Sequence, residues 1–131
     1  MEDIFKVEII SPEKIIFSKD VKTVTLPSYE GDMSILKNHI SIITFLRPGI
    51  IKVKKKEENI IDFFVQDGTI EYFNDNLVVL SSSVINVKDL NKDLIDTLSK
   101  DTNDKLLDKN IKDHDRYVLH HQLDVLREIR I

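Results

Sequence analysis

The sequence predicts an all-β sandwich of two stacked, mainly antiparallel sheets followed by a C-terminal α-helical hairpin. Three observations carry that prediction. All three prolines and all three glycines lie before residue 86. Short apolar stretches in that region are separated by turn residues at strand-length intervals. Beyond it the apolar residues return at helical spacing, with nine basic and ten acidic side chains in the last 46 residues against ten and thirteen in the first 85. The expected units are a sandwich over 1–85 and a helical hairpin over 86–131.

The elements follow in order. Phe5, Val7 and Ile9 alternate with Lys6 and Glu8, and Ser11-Pro12-Glu13-Lys14 turns the chain into Ile15-Ile16-Phe17. Residues Val21 to Leu26 alternate with apolar groups on both faces, so both faces are expected to be partly buried. Glu30-Gly31-Asp32 and His39 lie on a connection. A β-branched run from Ile40 to Leu46 ends at Arg47-Pro48-Gly49, where proline and glycine mark a turn. Ile50 to Val53 and Ile60 to Val65 flank Lys54-Lys55-Lys56-Glu57-Glu58-Asn59, a hairpin with a charged tip. Gln66-Asp67-Gly68 breaks the chain before Thr69 to Phe73, and Asn74-Asp75-Asn76 turns it into Leu77 to Leu80. Eight to ten short strands at this spacing stack as a sandwich or flattened barrel. Leu90, Leu94, Ile95 and Leu98 then share one helix face, with Asn86 or Asp89 as N-cap. Asp101-Thr102-Asn103-Asp104 reads as a polar break. A longer second helix carries Leu107, Ile111, Val118, Val125 and Ile129 on one stripe, and the two helices pair antiparallel.

Composition excludes several functions. The net charge of −4 argues against nucleic acid, which wants clustered Lys and Arg. The absence of cysteine removes disulfides and thiolate metal sites. No apolar run reaches the ~18 residues a membrane span needs, and the first residues do not form a secretory signal. Alanine is absent, so the helices form without the strongest helix former.

The search for chemistry finds no constellation. His120 and His121 are adjacent, about 100° apart on a helix, and His114 lies two turns (~10 Å) from His121, which is too far for a shared zinc. Asp108 to Asp113 resembles a calcium loop but lacks its glycine and has Leu119 where the bidentate glutamate belongs. Ser81-Ser82-Ser83 has no flanking glycines to make a nucleophile elbow, and no Gly-rich phosphate loop occurs. Glu30, Asp32 and His39 offer acid–base groups without a nucleophile or oxyanion donors, so a protein-contact loop is the expected reading. No cofactor is expected.

Taken together, Val7 to Lys14 with Phe17-Ser18, Glu30 to Leu36, His39, Ile43-Thr44, Arg47 to Val53, Val65, Gly68, Glu71 and Leu77 to Leu80 make a combined pattern. On it the chain resembles the epsilon subunits of rotary proton-translocating ATP synthases, called delta in mitochondria. Order and spacing hold over residues 4–80. The resemblance implies a sandwich and helical hairpin at the foot of a central stalk, gripping the gamma subunit and resting on the ring of c subunits. It implies ring contacts at Glu30, Gly31, Asp32 and His39, beside the structural turns already read at Pro12, Pro48, Gly49 and Gly68. It also implies a peripheral place on the cytoplasmic face of a bacterial inner membrane, without insertion into it, with an organelle-encoded protein as the alternative. The hairpins of some members reach the catalytic alpha and beta subunits and inhibit hydrolysis. Here the candidate regulatory arginines are only Arg116, Arg127 and Arg130, which implies weak inhibition.

The sequence departs from the family at Lys37-Asn38-His39-Ile40-Ser41, where a Pro-Gly-His-Ala-Pro stretch is usual, and at Asp67-Gly68, where a glycine pair is usual. Some members bind ATP through an Ile/Leu-Asp-x-x-Arg motif opening the first helix. Leu123-Asp124-Val125-Leu126-Arg127 has those letters in the wrong helix, while Lys92 or Asp93 stands where the arginine belongs. The alternative, a nucleotide-sensing subunit binding ATP through its hairpin, is therefore disfavoured, as is an unrelated binding module or hydrolase.

Overall fold

The computed structural model describes residues 3–55 and 59–129; Arg130 and the tip residues Lys56, Glu57 and Glu58 lie outside them. Ten strands run in chain order as β1 (Phe5–Ile10), β2 (Ile15–Val21), β3 (Thr23–Ser28), β4 (Gly31–Ile35), β5 (Ile42–Leu46), β6 (Gly49–Lys54), β7 (Ile60–Val65), β8 (Gly68–Phe73), β9 (Asn76–Leu80) and β10 (Val84–Asn86). A 3-10 turn (Val87–Asp89) leads to α1 (Lys92–Leu106) and α2 (Asp113–Glu128).

The strands form two layers. One orders β10-β7-β6-β3-β4 and the other β5-β8-β9-β1-β2, joined at one corner by the pairing of Ser28 with Leu46. Every pairing is antiparallel except β1 with β9. Alternation fills the interior: Phe5, Val7, Ile9, Ile70, Tyr72, Leu77 and Val79 from one layer meet Val24, Leu26, Ile51, Val53, Phe63 and Val65 from the other. Phe17 and Phe63 close the gap edge to face at 5.6 Å.

The two outer faces differ. On the β6-β7 side Ile50, Phe64 and Ile85 point outward and are covered by the hairpin through Leu90, Leu94, Ile95, Leu98, Val125, Leu126 and Ile129. At that end the strands are apolar on both faces, as in a doubly covered sheet, while Lys52, Lys54 and Asp62 continue the same outer face. Burying Leu126 alone is worth about 1.5–3 kcal/mol toward holding α2 down. The other layer has no such cover.

Several local expectations are corrected. Residues 31–35, read as a connection, form β4, because the Gly31 turn folds them back on β3 from Gly31↔Ser28 to Ile35↔Val24. Val84–Asn86 adds a short strand on β7. The N-cap of α1 is Asn91, whose side chain accepts from the Leu94 N–H at 2.8 Å. Asn86 instead caps the 3-10 turn at the Lys88 N–H, and Asp89 lies within that turn. Leu90 therefore precedes the helix.

The Asp101–Asp104 stretch does not break α1. Thr102 is buried there, its hydroxyl donating to the Leu98 carbonyl (2.7 Å) and accepting from Gln122 Nε2 (2.8 Å). With that polar group satisfied against α2, the helix continues to Leu106. Leu107 and Ile111 fall in the connection instead of on the second helix, where Asp108 accepts from the Asn110 N–H (2.9 Å) to make a tight turn.

Candidate functional site

The uncovered layer exposes apolar side chains in register. One row across β5, β8, β9 and β1 reads Phe45, Thr69, Leu80, Ile10; the next reads Ile43, Glu71, Val78, Glu8; a third places Phe73 beside Asn76 and Lys6. Ile43 is 74 % exposed, Phe45 and Phe73 63 % each, and Leu80 50 %. Ile40 and Leu36 on the adjoining loop are also exposed, and the face as a whole is rich in apolar side chains interrupted by Glu8, Glu71, Asn76 and Lys6. Such a face marks an interaction surface. Sequence reading found the β-branched run of β5 but did not assign its outward half to a surface; the signal was apolar residues at both alternating positions.

At one end the face runs into a groove of about 1060 Å³. Ile10, Phe45 and Leu80 line it on the sheet, and Tyr29, Asp67 and His114 stand around it. Tyr29 faces the His114 ring of α2 at 5.9 Å. Burial and the nearby Asp67, Tyr117 and Asp115 raise the Tyr29 pKa. Gly68 permits the wall to close: its φ is +155°, and a Cβ there would lie 2.7 Å from the Leu80 carbonyl oxygen. The Asp67 side chain accepts hydrogen bonds from the hydroxyls of Ser82 (3.0 and 3.1 Å) and Ser81 (3.3 Å). The serine run therefore shapes a turn.

Glu30, Gly31 and Asp32 sit together at the β3–β4 tip. Arg47 staples that tip, its Nε donating to the Ser28 carbonyl at 2.9 Å and its Nη2 to Asp32 Oδ1 at 3.3 Å. The Ser28 hydroxyl donates to the Gly31 carbonyl (2.6 Å) and accepts from the Glu30 N–H (3.3 Å). Asp32 is thus tied back, and Glu30 is the acid left projecting. Sequence reading missed Arg47 as an anchor, because its partners are distant in the chain.

His39 is not part of that group. It lies beyond the far end of β4, about 13 Å along the strand from Gly31. Its ring stands edge-on to Tyr72 at 5.6 Å and its Nδ1 is 2.6 Å from the Ile40 carbonyl. The neighbouring polar cluster is well satisfied. The Tyr72 hydroxyl donates to Asp75 Oδ1 (2.6 Å), which also accepts from the Asn38 N–H (2.8 Å). Burial, then the Asp75 hydrogen bond, pushes Tyr72 up to about 12. That hydrogen bond and the Asn38 N–H hold the Asp75 carboxyl below its usual value. Asn38, Asn74 and Asp75 all adopt positive φ (68°, 52° and 59°), the left-handed conformations that Asn and Asp tolerate. The cluster stiffens the loop instead of presenting a base to a substrate.

The turn prolines and glycines divide by cause. Pro12 stands in the β1–β2 turn, closed by Ser11 N–H to the Lys14 carbonyl at 2.9 Å. Pro48 precedes β6, and Gly49 opens it because a Cβ would meet Pro27 Cβ at 2.6 Å. On α2, Arg116 is exposed and Arg127 pairs with Asp124 at 3.7 Å. Leu123 and Leu126 are buried, so the ATP-motif letters of α2 serve helix packing. Among the described residues no three His, Cys, Asp or Glu side chains are grouped to hold a metal ion, and no helix is long and apolar enough to cross a membrane.

Comparison with known proteins identifies the family. Residues 4–87 match the family described as ATP synthase, Delta/Epsilon chain, beta-sandwich domain. The ATP synthase epsilon chain of Pelagibacter ubique (strain HTCC1062) is 45 % identical over 132 aligned residues, covering 98 % of this chain and 99 % of that protein. In fold, the chain is similar to one in the cryo-EM structure of the Euglena gracilis mitochondrial ATP synthase, OSCP/F1/c-ring, with a TM-score of 0.74 at 13 % identity, covering 97 % of this chain and 79 % of that one. It is also similar to a chain of the Tetrahymena thermophila mitochondrial ATP synthase central stalk/c-ring, with a TM-score of 0.66 at 14 % identity, covering 97 % and 96 %. The sandwich, the hairpin that covers one of its faces and the match across nearly the whole sequence lead to one conclusion: this chain belongs to the delta/epsilon chain family of ATP synthases.

Proposed function

We propose that the chain is a non-catalytic rotor subunit of the central stalk, joining the gamma subunit to the c-ring during proton-driven ATP synthesis. The observation that carries this reading is the asymmetry of the sandwich: one outer face is covered by the chain's own helices, and the other is open and exposes Ile43, Phe45, Phe73 and Leu80. The open face is the gamma-docking surface. Glu30, with Gly31 and the tied-back Asp32, makes one contact with the polar loops of the ring, and the His39 loop makes a second. A closed, two-layered body suits torque transfer because its shape is fixed by packing in every direction.

The division of labour follows the two units: the sandwich, closed by β10 at Val84–Asn86, couples, and the hairpin regulates weakly. Arg116 and Arg127 are the described candidate arginines offered to catalytic subunits, and Arg127 already has Asp124 as partner. The chain works as a peripheral subunit on the cytoplasmic side of a bacterial inner membrane, takes no nucleotide and needs no cofactor.

Co-expression with its own gamma subunit tests the main reading. The two are expected to co-purify in equal amounts, and recovery of gamma alone would reject it. Removing residues 87–131 from a reconstituted complex is expected to leave ATP hydrolysis within about threefold; a many-fold rise would show strong inhibition. Calorimetric titration of the isolated chain with ATP is expected to give no sub-millimolar binding.

A further inference from the structure

The groove at the end of the open face has features that a flat docking surface does not need. It exceeds the ~300–1,000 Å³ common for enclosed ligand sites, yet it opens along the Phe45–Thr69–Leu80–Ile10 row, so a polypeptide can pass through it. Its sheet side is apolar, and its rim carries one carboxylate, Asp67, with Tyr29 and His114 beside it. The Asp67 carboxylate is oriented by neutral serine hydroxyls, which fix its position without cancelling its charge. No basic side chain pairs with it among the described residues. An apolar trough with a fixed anion at its edge is complementary to an apolar side chain next to a cation.

We propose that this groove anchors a partner segment that presents an apolar side chain beside a lysine or arginine, the apolar group lying on Ile10 and Leu80 and the cation reaching Asp67. The inference rests on the function proposed above, under which the segment belongs to the gamma subunit. Continuity with the open sheet face, along the Phe45–Thr69–Leu80–Ile10 row, favours a polypeptide over a small molecule.

The test measures binding of the full-length chain to a purified gamma-containing catalytic core by interferometry at two salt concentrations. Asp67→Asn keeps an acceptor for Ser81 and Ser82 while removing the charge. It is expected to weaken binding about tenfold, as loss of one partly desolvated ion pair does, and to abolish most of the salt dependence. Leu80→Glu places a charge on the apolar floor and is expected to weaken binding further. Lys92→Ala, at the N-terminal end of α1 beside Leu126 and Arg127, serves as the control and leaves affinity unchanged.

If Asp67→Asn fails to fold, Leu80→Ala decides, because it trims a half-exposed side chain and is expected to weaken binding about fivefold. Wild-type binding with all groove variants within twofold overturns the anchor site and leaves the gamma-docking reading standing. Failure of the wild-type chain to bind sinks that reading and the anchor site with it. A self-associated chain that the groove variants render monomeric, with gamma affinity unchanged, assigns the groove to a second copy and also overturns the proposal.

Discussion

Gly31 and Gly68 both occupy positive φ (117° and 155°), yet a methyl group meets different surroundings at each. At Gly31 nothing lies within 4 Å, so Gly31→Ala carries only backbone strain, about 1 kcal/mol. At Gly68 the same strain adds to overlap with the Leu80 carbonyl, Leu46 and Ser81, and Gly68→Ala is expected to cost more than ~2 kcal/mol. Urea denaturation of the two variants checks the order, and equal losses would mean that the Gly68 contact relaxes freely. Tyr72→Phe tests a second residue. Without the phenolic donor, the Asp75 carboxyl is expected to titrate nearer its ordinary value, readable by NMR. The sign follows from the lowered Asp75 pKa in the folded chain. The carboxylate's contribution to stability is present above the unfolded-state pKa and is lost as pH falls through the folded one. The variant should therefore lose less stability on acidification than the wild type does.

Among elements, the helices show best what sequence alone can and cannot reveal. The helical period of residues 92–128 was legible because an amphipathic stripe is a local signal. The boundary was not. Asp101–Asp104 looked like a break because its polar groups have no local partner, and the partner of Thr102 is Gln122 in the other helix. Thr102→Val leaves the buried Gln122 amide without its acceptor and is expected to cost about 1–3 kcal/mol, measurable by thermal melting. Leu126→Ala removes a side chain only 1 % exposed at the centre of the docking cluster and is expected to cost about 2–5 kcal/mol. In hydrogen exchange it should loosen α2 more than β8. Strand β4 escaped notice because its alternation, Asp32 and Ser34 against Met33 and Ile35, spans too few residues to tell a strand from a loop until its partner β3 is known.

For the whole molecule, the sandwich and hairpin could be read from the change of period near residue 86, and the Glu30–Asp32 tip from its glycine. The grouping of His39 with that tip could not, because β4 is what separates them. Nor could the open face be located, because exposure depends on where the hairpin lies, and nothing local in β5 or β8 records that the hairpin covers β6 and β7 instead. The consequence is a body with one face satisfied from within and one left open, which the proposed function assigns to a partner. Ile43→Glu combined with Phe73→Glu tests this most directly, since both side chains point to solvent and neither supports the core. Affinity for the gamma-containing core is to be measured alongside the melting temperature. The expected result is an unchanged melting temperature with binding weakened by about a hundredfold or more, as loss of two central apolar contacts entails. Unchanged affinity in a folded double variant would contradict the assignment of this face to the stalk.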